Sequence, residues 1–441
     1  MKILVISAEV WRNDTNGGNV LSNIFGDTGY EFAQIYCNPG NPSNGLCKHY
    51  YQMTDSMMIN AILHRGRPGK IINYTDYPCD EREVAEEQAE QENRSFYDFF
   101  RNHRLEIFYV MRSLIWKVAK WDTTELREFI KGYKPDLIFA PCYASHEMLA
   151  IDRLAKKLTN VPMISYISDD NYGLKQFRLS PVYWLNRFAL RRNMRRTFKM
   201  YDMVYTMTEE QKLEYEKALK CKMKILRKSG DFTKVPDKKQ VNKPIQMIYA
   251  GGIYVGRWKT LAKIVEVIRN VNKDGVKIVL DIFTGNTLTQ KQKTLLHDGV
   301  NSIVHKSISL DELKRKYSES DIALHVESFE LKYKLLSRIS FSTKIIDCLS
   351  SGCATMAICW NQHSGYIYLK KHNIAICVDS VNKIQNAIES VVTNPQQIID
   401  YAQKAKSFGL KHHQQDDIKK EFMLDMKSFA DLGKEYESFT N

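Results

Sequence analysis

Ser342, Thr343, Lys344 and Asp347 stand close together in the stretch 337–357. A serine or threonine here is suited to begin a helix as its cap. The first amides of such a helix point outward and favour an anion. Lys344 adds a full positive charge, and Asp347 lies one turn on from Thr343, on the same side. An anion cradle beside a carboxylate suits a diphosphate next to a ribose diol. An ordinary helix cap with a solvated lysine and aspartate fits the same residues. Upstream, Glu327 follows an apolar run and can reach a cleft. Arg338 is suited to a phosphate or to an ion pair with Glu327.

Two glycine pairs follow apolar runs, Gly17-Gly18 and Gly251-Gly252. A residue without a side chain lets backbone approach a phosphate closely, and it also makes a plain tight turn. A second chemical signal is the basic stretch 182–200. Arg187, Arg191, Arg192, Arg195, Arg196 and Lys199 interleave there with Trp184, Leu185, Phe188 and Met194. Arg101, Arg104, Arg112, Lys117 and Lys120, with Trp116 and Trp121, form another basic helical segment. Such helices suit lipid phosphates, with the aromatic and aliphatic side chains at the headgroup boundary. A core-packed helix with a solvated basic face is the competing reading.

The elements that must position these residues alternate between strand and helix. Apolar β-branched runs at 2–8, 32–36, 137–140, 161–167 and 201–207 read as strands. Helical spacing follows Gly17-Gly18 and covers 96–131, where Lys134-Pro135-Asp136 ends it. Thr208 and Gln211 fit a capping box. Residues 234–244, KVPDKKQVNKP, read as an interdomain linker. The grammar then restarts with strands at 245–250, 278–283, 322–326 and 375–378, and a helix over 342–351. The last forty residues read as helical. The acidic stretch 80–92 reads as a solvated helix or surface insertion.

This is an α/β chain with two halves of similar grammar, parallel sheets and helices on both faces. The expected division is 1–235, 236–420 and a C-terminal helix 421–441 that packs back on the first half. Ligands of such folds sit beyond the C-terminal ends of strands, so the cleft between the halves is the default site.

Composition narrows the classes. The 441 residues are 44% hydrophobic and 26% charged, in the range of folded proteins. No apolar run is long enough for a membrane-spanning helix. The nine cysteines are scattered, without a Cys-x-x-Cys pair, which fits reduced thiols and a cytoplasmic protein. The 64 basic against 51 acidic residues leave a net charge of +13, which favours polyanionic partners. A nucleic-acid-binding protein would satisfy that charge, but no motif of that kind is present, and no nucleic-acid partner is expected. His412-His413 lacks ligand spacing to other metal-binding residues.

Taken jointly, Asn16-Gly17-Gly18, the strand start Pro135-Asp136-Leu137-Ile138, residues 249–258 (YAGGIYVGRW), Leu324-His325-Val326-Glu327-Ser328-Phe329 and the 342–352 segment resemble retaining glycosyltransferases of family 4, with the GT-B fold. That resemblance implies two facing Rossmann-like domains with an interdomain cleft. The first would hold the acceptor and the second a nucleotide-sugar. It implies donor contacts from Gly17, Gly18, Gly252, Glu327, Arg338, Ser342, Thr343 and Lys344, with Asp347 on the ribose. The nearest basic candidates for the diphosphate are Arg257 and Lys259, of which the guanidinium can hold two oxygens at once.

There are departures from the family pattern. Many members carry Glu-x7-Glu; the later acid is Asp347 here and the earlier position is Ile339. The strand end where the family places a histidine carries Asp169-Asp170, the candidates for contact with a reacting hydroxyl. The resemblance implies sugar transfer with retention to a glycan or polyprenyl-linked acceptor, in surface polysaccharide or lipopolysaccharide assembly. The nucleotide-sugar, with UDP favoured, is a substrate; no cofactor is implied and no essential metal is expected. The setting is the cytoplasm, with the basic helices at the anionic inner face of the plasma membrane. A nucleotide-sugar epimerase and a non-catalytic partner subunit share this fold and are the competing functions.

Overall fold

The computed structural model describes residues 1–12, 16–74 and 106–440. The first half is built on an eight-stranded sheet. Its strands are β1 (Lys2–Ser7), β2 (Glu31–Tyr36), β3 (Cys47–Gln52), β4 (Lys70–Asn73), β5 (Leu137–Pro141), β6 (Met163–Ile167), β7 (Met203–Thr206) and β8 (Met223–Ile225). They are ordered β4-β3-β2-β1-β5-β6-β7-β8. All neighbours pair in parallel except β3 with β4.

The second half carries β9 (Ile245–Ala250), β10 (Ile278–Thr284), β11 (Ser302–Lys306), β12 (Ile322–Val326), β13 (Ala354–Ile358) and β14 (Ile376–Val378). Their order is β11-β10-β9-β12-β13-β14, parallel throughout.

Buried parallel strands explain the unbroken apolar runs, because helices cover both faces. Along β1, Leu4 and Ile6 enter one core, while Ile3 and Val5 enter the other. Neighbouring strands are linked by helices with polar caps: Thr123, Ser145, Ser180 and Thr208 each accept an amide of the first turn. The expected capping box at Thr208 forms only half. Thr208 accepts the Gln211 amide, but the Gln211 side chain turns to Thr206 and to the Asp169 carbonyl.

The expected helix over 96–131 is two helices in its described part, Glu106–Val118 and Thr124–Tyr133. Thr123 restarts it by capping Leu126, a competing hydrogen bond that a periodic apolar stripe conceals. Residues 75–105, including the acidic stretch, Arg101 and Arg104, lie outside the described residues.

The two halves share a core. Phe341, Ile345, Ile346 and Leu349 pack in the same cluster as Val5, Leu21 and Phe139. The last helix, Gln415–Thr440, crosses back: the Phe422 ring meets Phe25 at 5.8 Å and Tyr205 at 5.2 Å. Asp425 accepts from the Tyr205 hydroxyl at 2.6 Å and from Lys224 at 2.6 Å. The linker-like segment is tied down rather than free. Lys238 pairs with the buried Asp321 at 2.6 Å, and Asp321 also accepts the Asn242 amide at 3.2 Å.

Candidate functional site

The strand order of the second half reverses between β9 and β12, and an open parallel sheet offers its crevice at that point. Two side chains meet there. Arg257 opens the helix Arg257–Val271 that follows β9, and Glu327 comes directly after β12. The guanidinium donates to both carboxylate oxygens, at 3.0 and 2.9 Å. Burial alone would raise the Glu327 pKa, but the facing Arg257, together with the neighbouring His325 and His363, outweighs it and holds the carboxyl below its ordinary range.

Lys344 joins them from the helix Lys344–Leu349. Its ammonium lies 5.3 Å from the centre of the Tyr249 ring and occupies the space that a side chain at Gly251 would fill. A β-carbon on Gly251 would stand 1.9 Å from Lys344 Nζ. The Lys344 ammonium has no carboxylate partner among the described residues. Burial first, then Arg257, lowers its pKa to about 8, against an opposing pull from Glu327. Gly252 makes a close turn: its carbonyl accepts the Tyr249 hydroxyl at 2.7 Å. Gly252, Arg257, Glu327 and Lys344 are therefore brought together, over Tyr249.

Other candidates are engaged elsewhere. Thr343 precedes the short helix in a helical conformation, φ −57° and ψ −25°, and makes no side-chain cap. An extended backbone is the geometry in which a cap hydroxyl reaches the amides, so the expected cap is corrected. The Ser342 and Thr343 carbonyls accept the first helical amides instead, at 3.0 and 3.1 Å. Asp347 pairs with Lys228 of the first half. Lys259 faces solvent and holds Glu330 at 2.7 Å. Arg338 does not meet Glu327. It donates twice across the halves to Glu214, at 2.8 and 2.7 Å.

Ile339, at the position of the absent first acid, is fully buried in the core of the first half, and its carbonyl accepts from Thr208 at 2.9 Å. Ser340 reaches Asp169 at 3.2 Å. Residues 338–340 thus plug the second half into the first, which is why an apolar side chain stands where a carboxylate was sought.

In the first half, Asp169 faces this seam. Although its side chain is exposed, the protein packed around it raises its pKa, partly offset by the Ser340 hydroxyl. Asp170 points the other way, into protein. Its Oδ1 accepts the Gly173 amide at 2.6 Å and the Tyr215 hydroxyl at 3.0 Å, so it is fixed as a turn-holding group. Gly17 and Gly18 lie inside the first helix, Asn16–Phe25, rather than in an open loop. The Gly17 amide donates to the Glu9 carboxylate at 3.2 Å, so its anion comes from the chain itself. The close approach at Gly18 is to the Arg12 carbonyl, whose oxygen would stand 1.7 Å from a β-carbon at that position.

The basic helix, Pro181–Phe198, engages three of its five arginines with the protein itself. Arg187 donates to the carbonyls of Asp170 and Gly173 at 2.9 and 2.8 Å. Arg191 covers the Tyr172 ring at 3.9 Å, and Arg195 donates to the Tyr172 hydroxyl at 2.7 Å. At spacing i, i+4, i+8 these three share one face and hold the loop that follows β6. Arg112 of the other basic helix likewise pairs with Asp55 and Glu147, both at 2.9 Å. Leu185 and Phe188 remain 72% and 55% exposed.

Sequence reasoning missed Glu214, Lys228 and Tyr249. Each acts through a partner far away in the chain, and no local pattern marks it.

No protein-family model matches the chain, and no curated protein matches it. Solved structures share the fold. The Anabaena HepE protein in complex with UDP and glucose is 11% identical with a TM-score of 0.59, over 97% of this chain and 100% of that one. A sucrose-phosphate synthase from Thermosynechococcus elongatus is 13% identical with a TM-score of 0.58, over 97% and 99%. An α,α-trehalose-phosphate synthase (UDP-forming) from Burkholderia vietnamiensis is 11% identical with a TM-score of 0.56, over 97% and 100%. The chain therefore has the GT-B architecture: two Rossmann-like units with parallel sheets, matched along nearly the whole length.

Proposed function

We propose that the chain is a glycosyltransferase that takes a sugar from a nucleotide-diphosphate sugar, with UDP favoured, and transfers it with retention. The observation that carries this reading is Lys344, a half-buried cation with no carboxylate bonded to it among the described residues, beside Arg257 at the reversal point of the second sheet. A buried charge left unpaired is costly, and a bound anion removes that cost. Three proteins of the same fold carry UDP or sugar-phosphate chemistry in their names, which supports a nucleotide-sugar donor here.

In this reading Lys344 and Arg257 hold the diphosphate, and the missing side chain at Gly251 gives the Lys344 ammonium its place there. Glu327 fixes the guanidinium plane. As the glycosidic bond to the diphosphate breaks, negative charge grows on the leaving oxygen and positive charge on the anomeric carbon. Cations already in place stabilise the leaving group without reorganising. The leaving phosphate oxygen accepts the proton of the incoming hydroxyl on the same face, which gives retention and needs no strong protein base. Asp169, at the seam, orients that hydroxyl. Asp347 serves the ribose once Lys228 releases it. With two fixed cations at the leaving group, this path does not call for a metal.

The acceptor is a glycan or lipid-linked saccharide of surface polysaccharide or lipopolysaccharide assembly. The exposed Leu185 and Phe188, with Arg192 and Lys199 on the open side of the basic helix, form the face turned to an anionic membrane. No helix among the described residues is long and apolar enough to cross one.

The test is sugar transfer and UDP release with a panel of donors, comparing the natural chain with Lys344→Met and Arg257→Ala. Donor-dependent release that both variants abolish supports the reading. Full activity in both variants overturns it, and conversion of the donor sugar without an acceptor would make the protein an epimerase.

A further inference from the structure

Beneath the Arg257–Glu327 pair, three side chains that the proposed transfer does not use converge. His325 lies on β12, Cys359 follows the last residue of β13, and His363 caps the helix Ser364–His372. The two strands run parallel, with His325 opposite Ala357 and Val326 opposite Ile358. Side chains alternate along a strand, so Cys359 shares the face of Ala357 and of His325. The chain then turns back, with the His363 amide donating to the Trp360 carbonyl at 3.0 Å. One imidazole nitrogen from each histidine and the Cys359 sulfur come within 4.8 Å of one another.

All three residues are buried, at 1%, 0% and 3% exposure for His325, Cys359 and His363. The Nε2 of His325 has no hydrogen-bond partner among the described residues. Buried polar atoms are rarely left so, and readiness to ligate an ion is one of the few physical reasons for it.

We propose that His325, Cys359 and His363 form a buried site for a soft or borderline transition-metal ion, with Zn2+ as its occupant. Two imidazoles and a thiolate are donors that zinc accepts and that magnesium and calcium, which take oxygen, do not. Zinc bonds run about 2.0–2.3 Å, so tetrahedral donors stand roughly 3.3–3.8 Å apart. The three groups need to close by about an ångström, within the reach of side-chain rotation. On binding, the Cys359 thiol gives its proton to solvent and both imidazoles stay neutral.

His363 changes partner. Its Nδ1 accepts the Gly365 amide at 3.1 Å. Coordination through Nδ1 takes that lone pair, and coordination through Nε2 sends the ring proton to Nδ1, so either route releases the amide. One cap hydrogen bond is weak beside a metal–ligand bond, and the exchange favours the ion. The bound ion ties β12, β13 and the following helix together directly under Glu327, two residues along from His325. It is a structural clamp for the pair that orients Arg257, and it stands independently of the transfer reading.

The experiment uses the full chain stripped of metal by a chelator and titrated with Co2+, whose thiolate charge-transfer and visible bands report tetrahedral sulfur coordination. The expected result is a saturable thiolate band at one equivalent, displaced by Zn2+. The band is lost in Cys359→Ser and retained in Cys353→Ser, a buried cysteine outside the cluster. His325→Ala weakens Zn2+ binding at least tenfold in competition with a chromophoric chelator. Circular dichroism establishes that each variant is folded, and the wild-type titration itself needs no variant. Absence of a saturable thiolate band in the wild type overturns the site, as does a band that Cys359→Ser leaves unchanged.

Discussion

The second half of the molecule leaves its key cation without a bonded carboxylate among the described residues, whereas the first half engages three of its conspicuous arginines with its own backbone and rings. Lys344 is a single lysine in a modest segment, yet it is half-buried over Tyr249 and bonded to no carboxylate among the described residues. The helix Pro181–Phe198 is far more basic, but Arg187, Arg191 and Arg195 are taken up by the carbonyls and the ring of the loop 170–173. Density of positive charge in a sequence therefore measures little by itself. What marks a ligand site is a charge whose burial the protein has not compensated.

The sharpest way to break this comparison is to remove one cation from each half. Lys344→Met should lower transfer by about 10²–10³-fold, the range for losing one fixed stabiliser of a developing anion. The same substitution should raise the melting temperature, because it removes a half-buried charge rather than a partner. Calorimetry beside the transfer assay checks both signs, and a lower melting temperature contradicts the uncompensated-charge argument.

Arg187→Ala should do the reverse. It strands the carbonyls of Asp170 and Gly173 and costs about 2–3 kcal/mol in urea denaturation, the scale of hydrogen bonds to a charged group. Donor affinity in the surviving folded fraction should stay within a few-fold.

A smaller effect sharpens the assignment through pH. Lys344 has a folded pKa of about 8, depressed from the usual lysine value by burial. The unfolded chain binds the extra proton between that value and the ordinary lysine range, so this group's contribution to stability becomes more favourable as pH rises through that window. Binding of a diphosphate runs the other way, since it needs the charged form. Thermal stabilisation by UDP should weaken as pH rises above about 8, and Lys344→Met should lose that dependence. The smallest expected change is in the exposed pair. Leu185→Glu with Phe188→Glu should alter stability by no more than about 0.5 kcal/mol, while abolishing co-sedimentation with anionic vesicles.

The two sheets were legible at several strands buried on both faces: β9 and β12 match their apolar runs residue for residue, although the equally buried β13 was not marked as a strand. β4 and β11 were not, because Lys70–Asn73 and Ser302–Lys306 are short strands at sheet edges with polar residues that no periodicity separates from loop. At the site, the sequence pointed to Lys344, Arg257 and Glu327 individually. It could not show that Arg257 and Glu327 face each other, since 70 residues separate them. Nor could it show that Asp347 faces Lys228 and Arg338 faces Glu214, which are contacts between halves. Ile339 is the instructive miss. Read as a lost carboxylate it is a defect, but its side chain is an anchor in the opposite core.

The chain passes between the halves near Gly230 and again near Gln414, and these two places form a β-bridge to each other. The Gly230 amide donates to the His413 carbonyl at 3.0 Å, and the Gln415 amide donates to the Gly230 carbonyl at 3.1 Å. The two crossings are thus stitched to each other, and residues 338–340 join the halves at a second place. Severing the polypeptide before the last helix would take away one of the two crossings together with Phe422, so neither half is a natural unit for expression alone.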